Sequence, residues 1–319
     1  MKIVHVVIIT FLLFSCKIQP KNEVHPFQRM DSYNGNFDLP INERFLDTPS
    51  EIIYYLNGLD NVENYSSHRL LETQKKLFIE YFEFLPIIYK EIITEKVFGI
   101  YFVNNFKGGG MTLPIFDNNG TMNLVFFFNP EIFRQNITEW INYRDNSAFI
   151  NNFDNISITV ECDDNYYAII HTLVHEASHA YDYYNYITPF TERFLENKQT
   201  KFPTDFVKGI WKNYDEPNTE YNFVNRENIF SYDLGERIDK KFALEIYKSL
   251  RNTPFSSIYG SKTWAEDFAE SFTWYYLKKY FDINYITKVT ENRNLIIIYN
   301  PLENEMVKSR FNIFEKIVE

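Results

Sequence analysis

The segment His171-Thr172-Leu173-Val174-His175-Glu176-Ala177-Ser178-His179-Ala180-Tyr181-Asp182 constrains the fold more than any other part of this chain. Within it, His175 and His179 bracket Glu176 in an H-E-x-x-H pattern. On an α-helix, residues four apart differ by about 40° in azimuth and about 6 Å in height. Two imidazoles on one helix face can therefore converge on a single ion, while Glu176 beside them reaches a metal-bound water instead of the metal. The plainer alternative is a pair of histidines packed in a helical core. A metal centre needs a third donor, so the chain has to bring a distant segment back to this helix.

The histidines are His5, His25, His68, His171, His175 and His179, and none follows the motif. A third histidine of the metzincin kind requires Gly at 182 and His at 185, where the chain has Asp182 and Asn185. The third donor is therefore expected to be a downstream carboxylate. Trp264-Ala265-Glu266-Asp267-Phe268-Ala269-Glu270-Ser271-Phe272 places Glu266 and Glu270 on one helical face. One of them can complete a tetrahedron while the other steadies a ligating imidazole. The competing local reading is a capping box, Thr263-x-x-Glu266, in which Glu266 only serves the helix start. His171 shares the histidine face but stands about 12 Å from His179 along the helix, too far to share an ion. Buried packing beside the site is expected for it. Asp182 either orients a ligand or faces solvent.

The runs HEASHAYDYY and IYGSKTWAEDFAESF resemble the catalytic domain of the anthrax lethal factor-like metallopeptidases, a gluzincin-type family that includes secreted proline-cutting endopeptidases. The two blocks span about residues 165 to 280, roughly a third of the chain. The resemblance implies that His175, His179 and Glu266 bind one Zn2+ ion and that Glu176 is the general base. It further implies that Tyr259 aims its hydroxyl at the reacting carbonyl and that Glu270 supports a ligand from behind. Among 24 tyrosines, Tyr259 can equally be a packing residue. The expected function is a zinc-dependent endopeptidase acting on a peptide or protein. The alternatives are a non-catalytic surface-binding lipoprotein, adhesin or receptor, that retains a zincin fold, and a zinc hydrolase cutting another bond such as a cell-wall amide.

Location is read from the first residues. Met1 and Lys2 precede an apolar run, Ile3 to Phe14, too short to span a bilayer as a helix and typical of an export signal. Leu13-Phe14-Ser15-Cys16 resembles a bacterial lipobox, which predicts cleavage before Cys16 and its lipidation. Residues 1–15 are expected as the signal peptide and 16–45 as a flexible tether. Through the lipid on Cys16 the protein is expected at a membrane of the bacterial cell envelope, the outer membrane or cell surface in a double-membraned cell. The net charge of −11 with no basic stripe argues against nucleic acid as a partner. Two cysteines, Cys16 and Cys162, exclude a disulfide framework, and Cys162 reads as a bystander.

Residues 46–319 are expected to form one α+β, zincin-like domain, with its active-site core at about 95–285. A small mixed or antiparallel sheet would lie above the H-E-x-x-H helix, ahead of a mostly helical C-terminal part. Apolar periodicity predicts a helix from about Ser67 to Leu85, ended or bent by Pro86. Val97 to Val103 reads as a strand, and Met111 to Phe116 and Leu124 to Phe128 as a hairpin about Asn118-Asn119-Gly120. Leu124 to Phe128 reads either as the edge that an extended substrate joins or, equally, as a buried core strand. Gly108-Gly109-Gly110 reads either as a flap over a groove or as a loop needing positive φ. Further helices are expected at about 165–184, 236–250 and 263–280, the first capped by Asp163 or Asp164.

Overall fold

The computed structural model describes residues 24–150, 152, 155–195 and 202–319, so the expected signal peptide and Cys16 lie outside it. Helices and small sheets are mixed throughout, an α+β chain. No helix among the described residues is long and apolar enough to cross a membrane.

The first half builds a mixed sheet. Strand β1 (Phe45–Leu46) leads to helix α1 (Ser50–Asp60), strand β2 (Ser66–Ser67) and helices α2 (Glu72–Glu83) and α3 (Ile87–Lys96). The helix expected over 67–85 is therefore confined to α2. Pro86 is the residue from which α3 starts, where its missing N–H breaks no helical bond. Strands β3 (Val97–Asn104), β4 (Gly110–Phe116) and β5 (Met122–Phe128) follow the apolar runs. Gly120, at φ +77°, closes the β4–β5 turn. The strand order is β1-β3-β5-β4, with β2 pairing β3. β5 runs parallel to β3 and antiparallel to β4.

This order decides the choice left open for the last strand. Leu124–Phe128 is the middle of the sheet, and the edge is β4. The physical reason lies in β5 itself, whose residues of both parities are apolar. Leu124, Phe126 and Phe128 enter one core, Val125 and Phe127 another. A strand apolar on both faces has to be covered on both.

The second of those cores corrects the expected tether. Phe27, Met30, Tyr33 and Phe37, with Ile52 and Leu56 of α1, cover the face of the sheet that shows Tyr101, Val103 and Phe127. Arg44, fully buried, donates to the carbonyls of Phe37, Leu39, Thr94 and Val97, each at 2.8 Å. From Pro26 onward the chain is packed onto the fold.

The second half supplies the helices of the site: α4 (Ile137–Ser147), strands β6 (Phe149–Ile150) and β7 (Ile156–Glu161), and α5 (Ile169–Asn185). α5 begins four residues later than expected, because Asp163 accepts from the Asn165 N–H in a local turn. After it come a short β8 (Trp211–Asn213) and β9 (Glu216–Pro217) hairpin and β10 (Ile238–Asp239), which pairs with β6. α6 (Ala243–Leu250) covers only the end of the expected 236–250 helix, whereas α7 (Trp264–Phe281) matches its expectation. The C-terminal part is mostly helical, as expected, but it also carries a hairpin. Strands β11 (Ile286–Glu291) and β12 (Asn294–Tyr299) form an antiparallel sheet with β7 before short helices α8 (Glu305–Lys308) and α9 (Phe311–Val318).

Candidate metal centre

α5 and α7 pack side by side, and the site forms where they face each other. His175 is buried, while His179 and Glu266 are partly open to a cleft. His175 Nε2 lies 3.1 Å from Glu266 Oε2 and 3.2 Å from His179 Nε2. The third side of the triangle, His179 Nε2 to Glu266 Oε2, is 3.6 Å. Donors about 2.0–2.2 Å from one tetrahedral ion stand about 3.3–3.6 Å from each other. Two imidazole nitrogens and a carboxylate oxygen at these spacings fit a divalent cation. His175, His179 and Glu266 could therefore hold a metal ion.

Electrostatics agree with the geometry. Burial alone would lift Glu266, but the two imidazoles hold its carboxyl well below the usual range. Burial depresses His175, yet hydrogen bonding to Glu266 and Glu270 outweighs it and raises the ring to about 10. The negative charge gathered here favours a cation at the shared corner.

A buried polar network holds His175 from behind. Glu270, fully buried, places Oε2 3.5 Å from His175 Nδ1, on the side of the ring away from Glu266. Its other oxygen accepts from Arg144 Nη1 at 2.7 Å and from Trp274 Nε1 at 2.8 Å. Arg144, on α4, also donates to Asp145 Oδ1 at 2.8 Å, and Tyr285 donates to Asp145 Oδ2 at 2.8 Å. The chain of contacts fixes the Glu270 carboxylate, and through it the orientation of the imidazole. Arg144, Asp145, Trp274 and Tyr285 gave no signal in the sequence, since none belongs to a spaced motif.

Glu176 stays outside the donor triangle. Its Oε2 is 2.7 Å from the hydroxyl of Thr112, on β4. The same hydroxyl is 2.9 Å from the Glu176 carbonyl. Burial raises the Glu176 carboxyl. β4 can approach this closely because residue 110 has no side chain: a Cβ there would lie 2.7 Å from Glu176 Cγ. Of the three glycines, Gly108 is the one that needs positive φ, at +90°. Gly110, Thr112, Glu176, His179, Tyr259 and Glu266 share a cleft of about 200 Å3. The Tyr259 ring lies 5.8 Å from that of His175, and burial raises its hydroxyl well above the ordinary value.

The remaining sequence candidates also have definite places. Thr263 does cap α7, accepting from the Glu266 N–H at 3.1 Å, while the Glu266 side chain turns to the histidines. Cap and site use different atoms of one residue. His171 is buried, its ring 4.8 Å from that of Trp274 at a 48° tilt, with Nε2 3.7 Å from Glu270 Oε2. Asp182 does not face solvent: it is buried and accepts from the Thr188 amide at 2.7 Å and hydroxyl at 2.5 Å. Cys162 is partly buried just after β7, its amide donating to the Thr138 hydroxyl of α4. Comparison with described protein families, curated proteins and solved structures returned no match.

Proposed function

We propose that this chain is a metal-dependent hydrolase whose centre is His175, His179 and Glu266. More narrowly, it is a zinc endopeptidase of the gluzincin kind with a zincin-like fold, the reading that the resemblance of its two motif blocks also favours. The observation that carries this is the division of labour among the carboxylates. Glu266 closes the donor triangle, Glu270 backs His175, and Glu176 is kept out of the triangle by Thr112 on β4. A purely structural metal site has no use for that third carboxylate.

Bound by these three residues, Zn2+ supplies Lewis-acid polarisation and a lowered pKa for attacking water. Glu176 takes the proton from that water at its carboxylate and returns it to the leaving amine. The Tyr259 hydroxyl, held in its protonated form by burial, donates to the carbonyl oxygen as charge develops there. The free edge of β4 at Gly110–Thr112 offers backbone hydrogen bonds to an extended peptide over the cleft. Lipidation of Cys16 places this activity at a membrane of the cell envelope.

Glu176→Gln is the direct test. The variant should retain one equivalent of zinc, measured by elemental analysis, while kcat/KM for a cleaved peptide falls about 100- to 10,000-fold. Chelation should abolish wild-type cleavage and zinc should restore it. Unchanged hydrolysis in a zinc-loaded Glu176→Gln protein would remove the general base and with it this reading.

A further inference from the structure

A helix on the surface of a fold usually turns polar residues outward, and α1 does not. Its inner face, Ile52 and Leu56, is buried in the second core. Its outer face shows Tyr54, Tyr55 and Leu59, with Val62 just beyond its end; Tyr54 is 75% exposed and Leu59 65%. With His25 and Phe27 of the N-terminal segment, these residues line an open groove. The Tyr55 ring lies 5.2 Å from that of His25 and 6.4 Å from that of Phe27. Among the described residues, no lysine or arginine lines the groove. Val24, also exposed, stands where the N-terminal segment reaches it.

We propose that this face seats against the lipid bilayer, beside the anchor on Cys16. The inference rests on the lipidation reading. Position comes first. The chain is packed from Pro26 onward, so the tether is shorter than sequence suggests, and Val24 stands eight residues after Cys16. Eight residues reach at most about 29 Å when fully extended. A lipid on Cys16 therefore holds the groove next to the membrane surface. At that distance a contact too weak to bind free protein is populated, because the tether raises its effective concentration. A second copy or a soluble partner has no such tether to this face. Chemistry comes second. Tyrosine rings favour the boundary between headgroups and acyl chains, and the leucine and valine beside them bury apolar surface there. Charge comes third. With no lysine or arginine in the groove and a net charge of −11, nothing here draws an anionic headgroup, so the contact is apolar and salt does not weaken it. Leu59 is also a wall of the catalytic cleft, so the same seating brings that cleft to the bilayer surface.

The test floats the lipidated Tyr54→Trp protein with phosphatidylcholine vesicles, with and without brominated acyl chains. Trp140, Trp211, Trp264 and Trp274 are all buried, so wild type supplies the background. The added indole should lose about half its fluorescence or more on brominated vesicles, at low and high salt alike, as an interfacial side chain does. Ile296→Trp, at a half-exposed position on β12, should lose none. Flotation without quenching at residue 54 overturns the seating and leaves the anchor standing; a response there to added peptide, or to protein concentration in detergent, gives the face to substrate or to a second copy instead. Equal quenching at 54 and 296 overturns it as well, because the contact is then not confined to this face. If mass spectrometry finds Cys16 unmodified and the protein does not float, the lipidation reading falls and the seating with it.

Discussion

Tyr259 lines the cleft together with Glu176 and Glu266, and burial raises its hydroxyl well above the ordinary value. Tyr259→Phe removes one oxygen while keeping the ring against His175 and Tyr232. The variant should melt like wild type and lose about 100- to 1,000-fold in kcat, the range for one oxyanion donor. Full turnover would make Tyr259 a packing residue. Asp182 lends itself to a pH test. Burial raises its carboxyl to about 7 against the hydrogen bonds from Thr188, whereas in the unfolded chain it titrates near 4. A folded pKa raised in this way contributes stability that is complete below about pH 4 and lost as pH rises towards 7. In Asp182→Asn the carbonyl can still accept from the Thr188 amide, and the Thr188 hydroxyl can donate to the Phe190 carbonyl, 3.3 Å away. The variant's melting temperature relative to wild type should therefore climb between pH 4 and 7.5. A difference that stays flat across that range would mean that Asp182 does not titrate there.

Between elements, the distance from β4 to α5 decides whether Glu176 is held in place. Gly110→Ala puts a methyl 2.7 Å from Glu176 Cγ and 2.9 Å from its Oε1, so strand or carboxylate has to move. Activity should fall by tenfold or more while bound zinc stays at one equivalent. Gly58→Ala, on α1 with open space around it, should instead stabilise by about 0.5–1 kcal/mol. Equal activity in Gly110→Ala and wild type would show that the approach of β4 has slack. The same packing shows why some of the fold was legible in sequence and some was not. α7, β3 and the β4–β5 hairpin were visible because apolar period, cap and turn residues agree. α4 was not, because polar residues interrupt the apolar period of Ile137, Trp140 and Ile141: Asn142 exchanges hydrogen bonds with the backbone of Val160, Asn146 donates to Ile158, and buried Arg144 pairs with Glu270. Hydropathy cannot distinguish such a helix from a surface loop. The β11–β12 hairpin turns on Asn292 and Arg293, both at positive φ, without the glycine that usually announces such a turn. At the centre, H-E-x-x-H and the two later glutamates stood out by spacing, while Thr112 and Arg144 are single residues on other elements that only the packing brings in.

For the molecule as a whole, the sheet requires cover on two sides, and the chain meets the second requirement with α1 and the residues ahead of β1. Phe27, Met30, Tyr33 and Phe37 lie on Phe127, Tyr101 and Phe98, residues whose alternate neighbours already serve the core under α2, α3 and α5. Arg44 locks this cover with hydrogen bonds to the carbonyls of Phe37 and Leu39 on one side and of Thr94 and Val97 on the other. Removing the segment would uncover aromatic surface on the very sheet whose edge, β4, holds Glu176 through Thr112. A protein beginning at Val24 should fold and bind zinc as the full chain does. One beginning at Leu46, where sequence alone puts the domain boundary, should lose both Arg44 and the cover. It should bind a hydrophobic dye, melt non-cooperatively and lose peptidase activity together with its fold. If the shorter protein melts sharply at the same temperature as the longer one, the N-terminal residues are ornament, and the second core stands on α1 alone.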